Sequence, residues 1–151
     1  MITKAKARLV ARGFGQRHGI DFFETFAATA SVSSIKVAIA TAVQSGWPLF
    51  HPDVEQAFVK APLDFDVFMK PPSGCGSKTA QVVRLNRALY GVKQVGCQWV
   101  AHLCKTMVDE HDMEQCKSDP CVFRKVVDGV VKLIVVIHVD DILVEEGKGG
   151  M

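Results

Sequence analysis

The sequence contains no Cys-x-x-Cys pair, no apolar run long enough for a bilayer and no large excess of one charge. Each absence removes a class. The five cysteines are Cys75, Cys97, Cys104, Cys116 and Cys121, an odd number whose spacings fit neither a disulfide framework nor a zinc knuckle. They read as reduced thiols in a reducing compartment. His111 stands near Cys116 and Cys121, but at no common zinc spacing. The longest strongly apolar run, Leu133 to Ile137, is far too short to span a membrane. The first residues are polar and basic with no apolar segment behind them, so no secretory signal is expected. The expected location is intracellular, cytoplasmic or nuclear, with no membrane partner. No internal repeat or low-complexity segment is present.

What is there is 151 residues, suited to one domain or a piece of a larger one, with 48% apolar residues to build a core and 23% charged. The net charge of +2 names no partner. Its distribution says more. Residues 1–20 hold Lys4, Lys6, Arg8, Arg12 and Arg17 and no acid, a segment suited to phosphates or simply to solvent. Asp140, Asp141, Glu145 and Glu146 cluster near the other end.

Along the chain, Lys6 to Arg12 alternates loosely as a strand would, and Gly13 to Thr29 reads as a long connection. Ser33 or Ser34 is placed to cap a helix with apolar positions Ile35, Val37, Ala38, Ile39, Ala42 and Val43, stopped by Gly46. Pro48 and Pro52 bracket a short segment leading into Asp53, and Glu55 to Val59 suits a helical turn. Asp66 to Lys70 and Gln81 to Leu85 read as extended pieces. Gln94 to Asp112 reads as a helix, with Trp99, Leu103, Met107 and Val108 at helical spacing. Ser118-Asp119-Pro120 signals a turn. Three strands follow, Val122 to Val127, Val131 to Val139 and Ile142 to Glu145. Asp128-Gly129 turns the first pair, and Asp140-Asp141 the second. The order predicts an α+β domain with an antiparallel sheet.

Asp140-Asp141 is the most informative local feature. Two adjacent carboxylates interrupt a hairpin that is apolar from Leu133 to Val144 except for His138, and a divalent cation would relieve their repulsion. A solvated Asp-Asp turn explains the same residues. Two-metal phosphoryl chemistry needs a further carboxylate from another strand. Asp53 is the best donor by position, with Glu55, Asp64 and Asp66 as competitors.

Several segments in register resemble the reverse transcriptase of copia-type retrotransposons. They are Lys6-Ala-Arg-Leu-Val-Ala-Arg-Gly-Phe14, Gly19-Ile-Asp-Phe-Phe-Glu-Thr-Phe26, Asp53-Val-Glu-Gln-Ala-Phe58, Ala88-Leu-Tyr-Gly-Val-Lys-Gln94 with Trp99, Lys117-Ser-Asp-Pro-Cys-Val-Phe123 and His138-Val-Asp-Asp141. The resemblance runs from about Lys4 to Val144. It implies the fingers and palm of a right-hand polymerase, an antiparallel sheet with packed helices lacking most of the thumb. Fingers would fall at roughly 1–47 and 70–93, and palm at roughly 48–69 and 94–146. The implied activity is RNA-directed DNA polymerase, a nucleotidyltransferase. Its catalytic and metal-binding carboxylates would be Asp53, Asp140 and Asp141, holding two Mg2+ ions with Mn2+ as a substitute. Phe58 would exclude a 2′-hydroxyl. Tyr90, Gly91 and Lys93 would line the nucleotide and template side, His138 would lie near the primer, and Lys6, Arg8 and Arg12 near triphosphate or template. The implied partners are an RNA or DNA template with primer, deoxynucleoside triphosphates, and the thumb, RNase H and integrase parts of a polyprotein.

The sequence departs from the family's pattern at several places. His138 stands for the usual Tyr. Val95, Gly96 and Cys97 replace a small residue, Pro and Arg. Ala30-Ser31 replaces a usual basic position, and Pro52 precedes the first aspartate without an N–H for a strand ladder. A catalytically inert relic, binding nucleic acid weakly through its basic segment or associating without enzymatic activity, is the competing expectation.

Overall fold

The computed structural model describes residues 7–63, 65–75 and 81–147. Lys4, Lys6 and Asp64 lie outside them. The elements are a 3₁₀ turn at Gly13–Gly15, helices α1 Val32–Ser45, α2 Ala57–Lys60 and α3 Val95–Asp109, and strands β1 Leu49–Phe50, β2 Phe68–Met69, β3 Val83–Arg84, β4 Glu114–Gln115, β5 Val122–Val127, β6 Val130–His138 and β7 Asp141–Glu146. Among the described residues no helix is long and apolar enough to cross a membrane. The chain divides into two compact units. One comprises the residues up to Phe26 together with Phe58–Trp99, and the other Ala27–Ala57 together with the residues from Val100 onward.

The second unit is built on a five-stranded antiparallel sheet in the order β1-β7-β6-β5-β4. β-branched residues dominate β5 and β6, which suits a pleated surface. Asp128 and Gly129, both at positive φ (52° and 74°), make the tight turn between them as expected. Alternation assigns the faces. Phe123, Val135 and Val144 share a face with the Ile137–Ile142 pair. Phe123 and Ile137 are completely buried there, and burial of each contributes on the order of 2–3 kcal/mol. α1 packs on β6 and β7, burying Ala38 and Ala42, whose spacing of four puts two small side chains on one stripe.

Several expected boundaries move, each for a tertiary reason. Ala7 to Arg12 forms no strand. Its backbone instead docks on a turn, Ala11 N–H donating to Tyr90 O at 2.7 Å. α1 starts earlier than expected, capped by Ser31 and not Ser33 or Ser34. α3 ends at Asp109, because Asp112 takes φ 52° and Met113 N–H returns to Met107 O. The extended pieces around residues 66–70 and 81–85 shrink to the two-residue pair β2–β3. α1 belongs to the unit that contains the large sheet.

The shift of the α1 cap follows from Asp119. This nearly buried carboxylate accepts from Ser31 N–H (2.9 Å), from the Ser34 hydroxyl (2.6 Å) and from Cys121 N–H (3.0 Å). It ties the start of α1 to the start of β5. Ser31 Oγ in turn accepts from Ser34 N–H at 3.0 Å. Burial alone would raise the Asp119 pKa, but these hydrogen bonds outweigh it and hold the carboxyl below its ordinary 3.8. The stability it supplies is present above that ordinary value and is lost as pH falls through the lowered native one.

Glu145 is the opposite case. It is 0% exposed on β7, and among the described residues neither carboxylate oxygen has a hydrogen-bond partner. Burial pushes its carboxyl up to about 7 from the ordinary 4.5. The folded protein therefore keeps a proton that the unfolded chain has already released, and stability falls across that interval as pH rises.

Two outcomes are expected. Asp119→Ala should lower unfolding stability by about 2 kcal/mol, since it orphans two backbone donors and a hydroxyl, as read by denaturant unfolding at neutral pH. Glu145→Gln should abolish a loss of about 3 kcal/mol that the parent chain suffers between pH 4.5 and 8. Parallel pH profiles for parent and variant would show that Glu145 does not hold the proton.

Candidate active site

The carboxylates of the second unit are placed by strand register. β1 pairs with β7 as Leu49↔Glu145 and Phe50↔Val144. An isolated bridge then joins Asp53 to Asp141. The residue numbers of each pair sum to 194, so the bridge continues the same register past an interruption at His51-Pro52. Pro52 has no N–H and would face Ile142 in that register, which explains the broken ladder. Proline breaks the hydrogen bonding without shifting the alignment, and Asp53 arrives opposite Asp141.

The hairpin that carries the other two residues differs by one position from expectation. His138 pairs with Asp141, so the loop is Val139-Asp140 and Asp141 opens β7. Val139 takes φ 62°, the position that glycine fills in a II′ hairpin. A β-branched side chain there is a strained outlier of about 1–3 kcal/mol. Gln56, three residues after Asp53, also has positive φ, at 54°. Strained backbone thus flanks both candidate segments.

Asp53, His138, Asp140 and Asp141 are all exposed. His51, which the sequence reading did not single out, places Nε2 3.4 Å from Asp141 Oδ1. Its only sequence signal was its position two residues before Asp53. The donor chemistry, three carboxylates, suits a hard divalent cation. The side chains are not gathered for one: among the described residues no group of three or more His, Cys, Asp or Glu is placed to hold a metal. Backbone pairing brings Asp53 and Asp141 together, and convergence of all three carboxylates does not follow from it.

The other candidate residues lie in the first unit. Phe58, on α2, meets Tyr90 edge-on at 5.3 Å between ring centroids. The Arg8 guanidinium lies 5.7 Å from the Tyr90 ring centroid, within cation–π range. Arg12 is exposed and lines a cavity of about 600 Å³ with Val10, Gln16, Phe68, Lys70 and Val92. Gly91 adopts φ 88°, and a Cβ there would lie 2.2 Å from Ala11 O; a Cβ on Gly13 would lie 1.8 Å from Gly91 O. Glycine is needed at both places for the two backbones to touch. Lys93 Nζ is 3.2 Å from Gln16 O and 4.9 Å from the Phe22 ring centroid, so its ammonium is already engaged. Arg8, Phe58, Tyr90 and Gly91 are therefore brought together, while Lys6 lies outside the described residues.

Replacing Val139 by Gly should raise unfolding stability by about 1 kcal/mol if the hairpin stores strain, as measured by denaturant midpoint at unchanged slope. No gain would mean that the hairpin accommodates Val139 without strain.

Comparison with known proteins supplies the family. The model of the family "Reverse transcriptase (RNA-dependent DNA polymerase)" matches residues 1–151. The retrovirus-related Pol polyprotein from transposon TNT 1-94 of Nicotiana tabacum is 33% identical over 145 residues, which are 95% of this chain and 11% of that protein. The corresponding polyprotein from transposon RE2 of Arabidopsis thaliana is 34% identical over 145 residues, 95% of this chain and 10% of that protein. The transposon Ty1-NL2 Gag-Pol polyprotein of Saccharomyces cerevisiae is 25% identical over 140 residues, 91% of this chain and 8% of that protein. The chain spans about a tenth of the length of these curated relatives. No solved structure matches it. The motif segments, the antiparallel sheet and these relatives agree: the chain belongs to the reverse transcriptase (RNA-dependent DNA polymerase) family, as a copia-type retrotransposon domain.

Proposed function

We propose that this chain carries the nucleotidyl-transfer residues of an RNA-directed DNA polymerase that works within a longer Pol polyprotein. The single observation behind the proposal is the Asp53↔Asp141 bridge, which continues the β1–β7 register and sets two distant family motifs side by side. Asp53, Asp140 and Asp141 are the proposed catalytic carboxylates. Divalent cations, two Mg2+ with Mn2+ as a substitute, suit this carboxylate donor set; holding them would require the three side chains to converge, and the ions would supply positive charge to the primer hydroxyl and the triphosphate.

The remaining roles belong to the chain's own groups. Arg8 and Arg12 neutralise phosphate charge on the triphosphate or template. Tyr90 offers a ring for base or sugar contact, and Phe58, packed on it, presents bulk where a 2′-hydroxyl would otherwise fit. Gly91 permits close backbone approach. His138, at the end of β6, can donate a hydrogen bond near the primer terminus. The proposed partners are a primed RNA or DNA template, deoxynucleoside triphosphates, and the thumb, RNase H and integrase parts of the polyprotein. The chain would form the fingers and palm of a right-hand polymerase.

A specific contact favours the second reading, an inert relic that at most binds nucleic acid. His51 Nε2 stands 3.4 Å from one oxygen of Asp141, and Pro52 breaks the ladder beside Asp53. One assay separates the two. The chain, joined to the remaining polymerase parts of a related Pol polyprotein, is given primer–template, deoxynucleoside triphosphates and Mg2+, with Asp140→Asn as the control. Incorporation that depends on metal and falls at least about 100-fold in Asp140→Asn supports the polymerase reading. Binding of primer–template that weakens with salt, without any incorporation, supports the relic.

A further inference from the structure

Gln94 is among the few buried polar residues of those described, at 1% exposure, and none of the proposed catalytic roles uses it. It lies immediately before α3, where the chain leaves the Tyr90–Lys93 turn. Both ends of its amide are engaged. Oε1 accepts from Gln16 Nε2 at 3.1 Å, and Nε2 donates to Asp21 O at 3.2 Å. Gln16 turns its own Oε1 to the Lys93 N–H at 2.8 Å, while its backbone carbonyl receives the Lys93 ammonium. Two glutamines 78 positions apart thus link the segment 16–21 to residues 93–94 through side-chain amides.

The residues just before each segment, 11–13 and 90–91, also meet through backbone. Ala11 N–H donates to Tyr90 O, and Gly13 and Gly91 approach too closely for any Cβ. Tyr90 is held between these contacts. Its carbonyl is fixed from one side, and its ring packs against Phe58 and under Arg8. A buried amide with every polar atom satisfied specifies one arrangement more sharply than apolar contact, because any other register would orphan a buried donor or acceptor.

We infer that the Gln16–Gln94 pair is a positioning clasp: it sets the Tyr90 turn and, through Tyr90, the surface formed by Arg8 and Phe58 that would receive the nucleotide. The clasp itself stands on geometry. Its link to nucleotide rests on the polymerase reading above. Gln94 acts through Tyr90 and touches no reacting atom.

The amide is essential to this assignment because position 94 must accept from one neighbour and donate to another. Leucine can do neither. A glutamate can do both only when protonated, for its ionised form is acceptor-only and would face the Asp21 carbonyl. This distinction gives a readout that loss of packing alone would not produce.

Tyr90 is the sole tyrosine, so incorporating 3-fluorotyrosine gives one fluorine resonance that reports on this ring. The probe ligand is dTTP with Mg2+, titrated into the 151-residue chain. Gln94→Leu should move the resonance toward that of a solvent-exposed tyrosine and weaken dTTP binding about tenfold. Gln94→Glu should resemble the parent at acid pH and the leucine variant once its carboxyl ionises. Gln16→Ala, at a half-buried position, should repeat the leucine result and decides the matter if Gln94→Leu fails to fold. An unmoved resonance in Gln16→Ala, or a Gln94→Glu spectrum independent of pH, overturns the clasp. Absence of dTTP binding by the parent chain removes the nucleotide part of the inference, while the resonance still decides whether the glutamines set Tyr90.

Discussion

One antiparallel register, residues 49–53 against 145–141, is the constraint on which the candidate carboxylate site depends. β1 has two paired residues and stands at the edge of the sheet, so it contributes little stability of its own. What holds its alignment is the β6–β7 hairpin beside it, six paired rows closed by a two-residue loop. A slip of one residue would turn every side chain of β1 to the opposite face. The bridge at Asp53 shows that the alignment survives the break at Pro52. The Asp53 and Asp140-Asp141 segments meet because of strand pairing, not because their acidic side chains attract. Like charges would by themselves drive them apart.

Polar burial divides into two kinds in this chain. Asp119 is satisfied by three donors, and it fixes where α1 begins and where β5 follows. Gln94 is satisfied at both ends of its amide in the other unit. Glu145 has no partner among the described residues and sits in the row where β7 meets β1. The first two are costly to remove because their neighbours would be orphaned. The third costs stability wherever it ionises. The sheet edge that aligns Asp53 therefore carries a destabilising group in the same ladder.

Much of the architecture was legible in the residues. Apolar alternation from Val122 to Val144, with Asp128-Gly129 between two runs, specifies a hairpin meander through local chemistry alone. Gly46 at the end of an apolar helical stripe does the same for α1. The misses share one cause. Ala7 to Arg12 has the alternation of a strand but finds a turn for its backbone, and period-2 patterning cannot say what lies alongside. Ser31 caps α1 because Asp119, 88 positions away, reaches it. Val139 enters the hairpin loop against its own preference, since pairing of His138 with Asp141 overrides the propensity of a β-branched residue.

The sequence by itself determined the family, because a motif is a fixed order of residue types along the chain, and from the same motifs it nominated the three aspartates, Phe58, Tyr90 and the basic residues for the roles proposed above. It also determined the meander, because side-chain alternation and turn chemistry are local. Tertiary structure decided which residues face each other: Asp53 against Asp141, His51 against Asp141, Gln16 against Gln94, and a carboxylate at position 145 without a partner among the described residues. Those pairings arise from hydrogen-bond register and burial between segments far apart in sequence, and no local pattern encodes the distance between them.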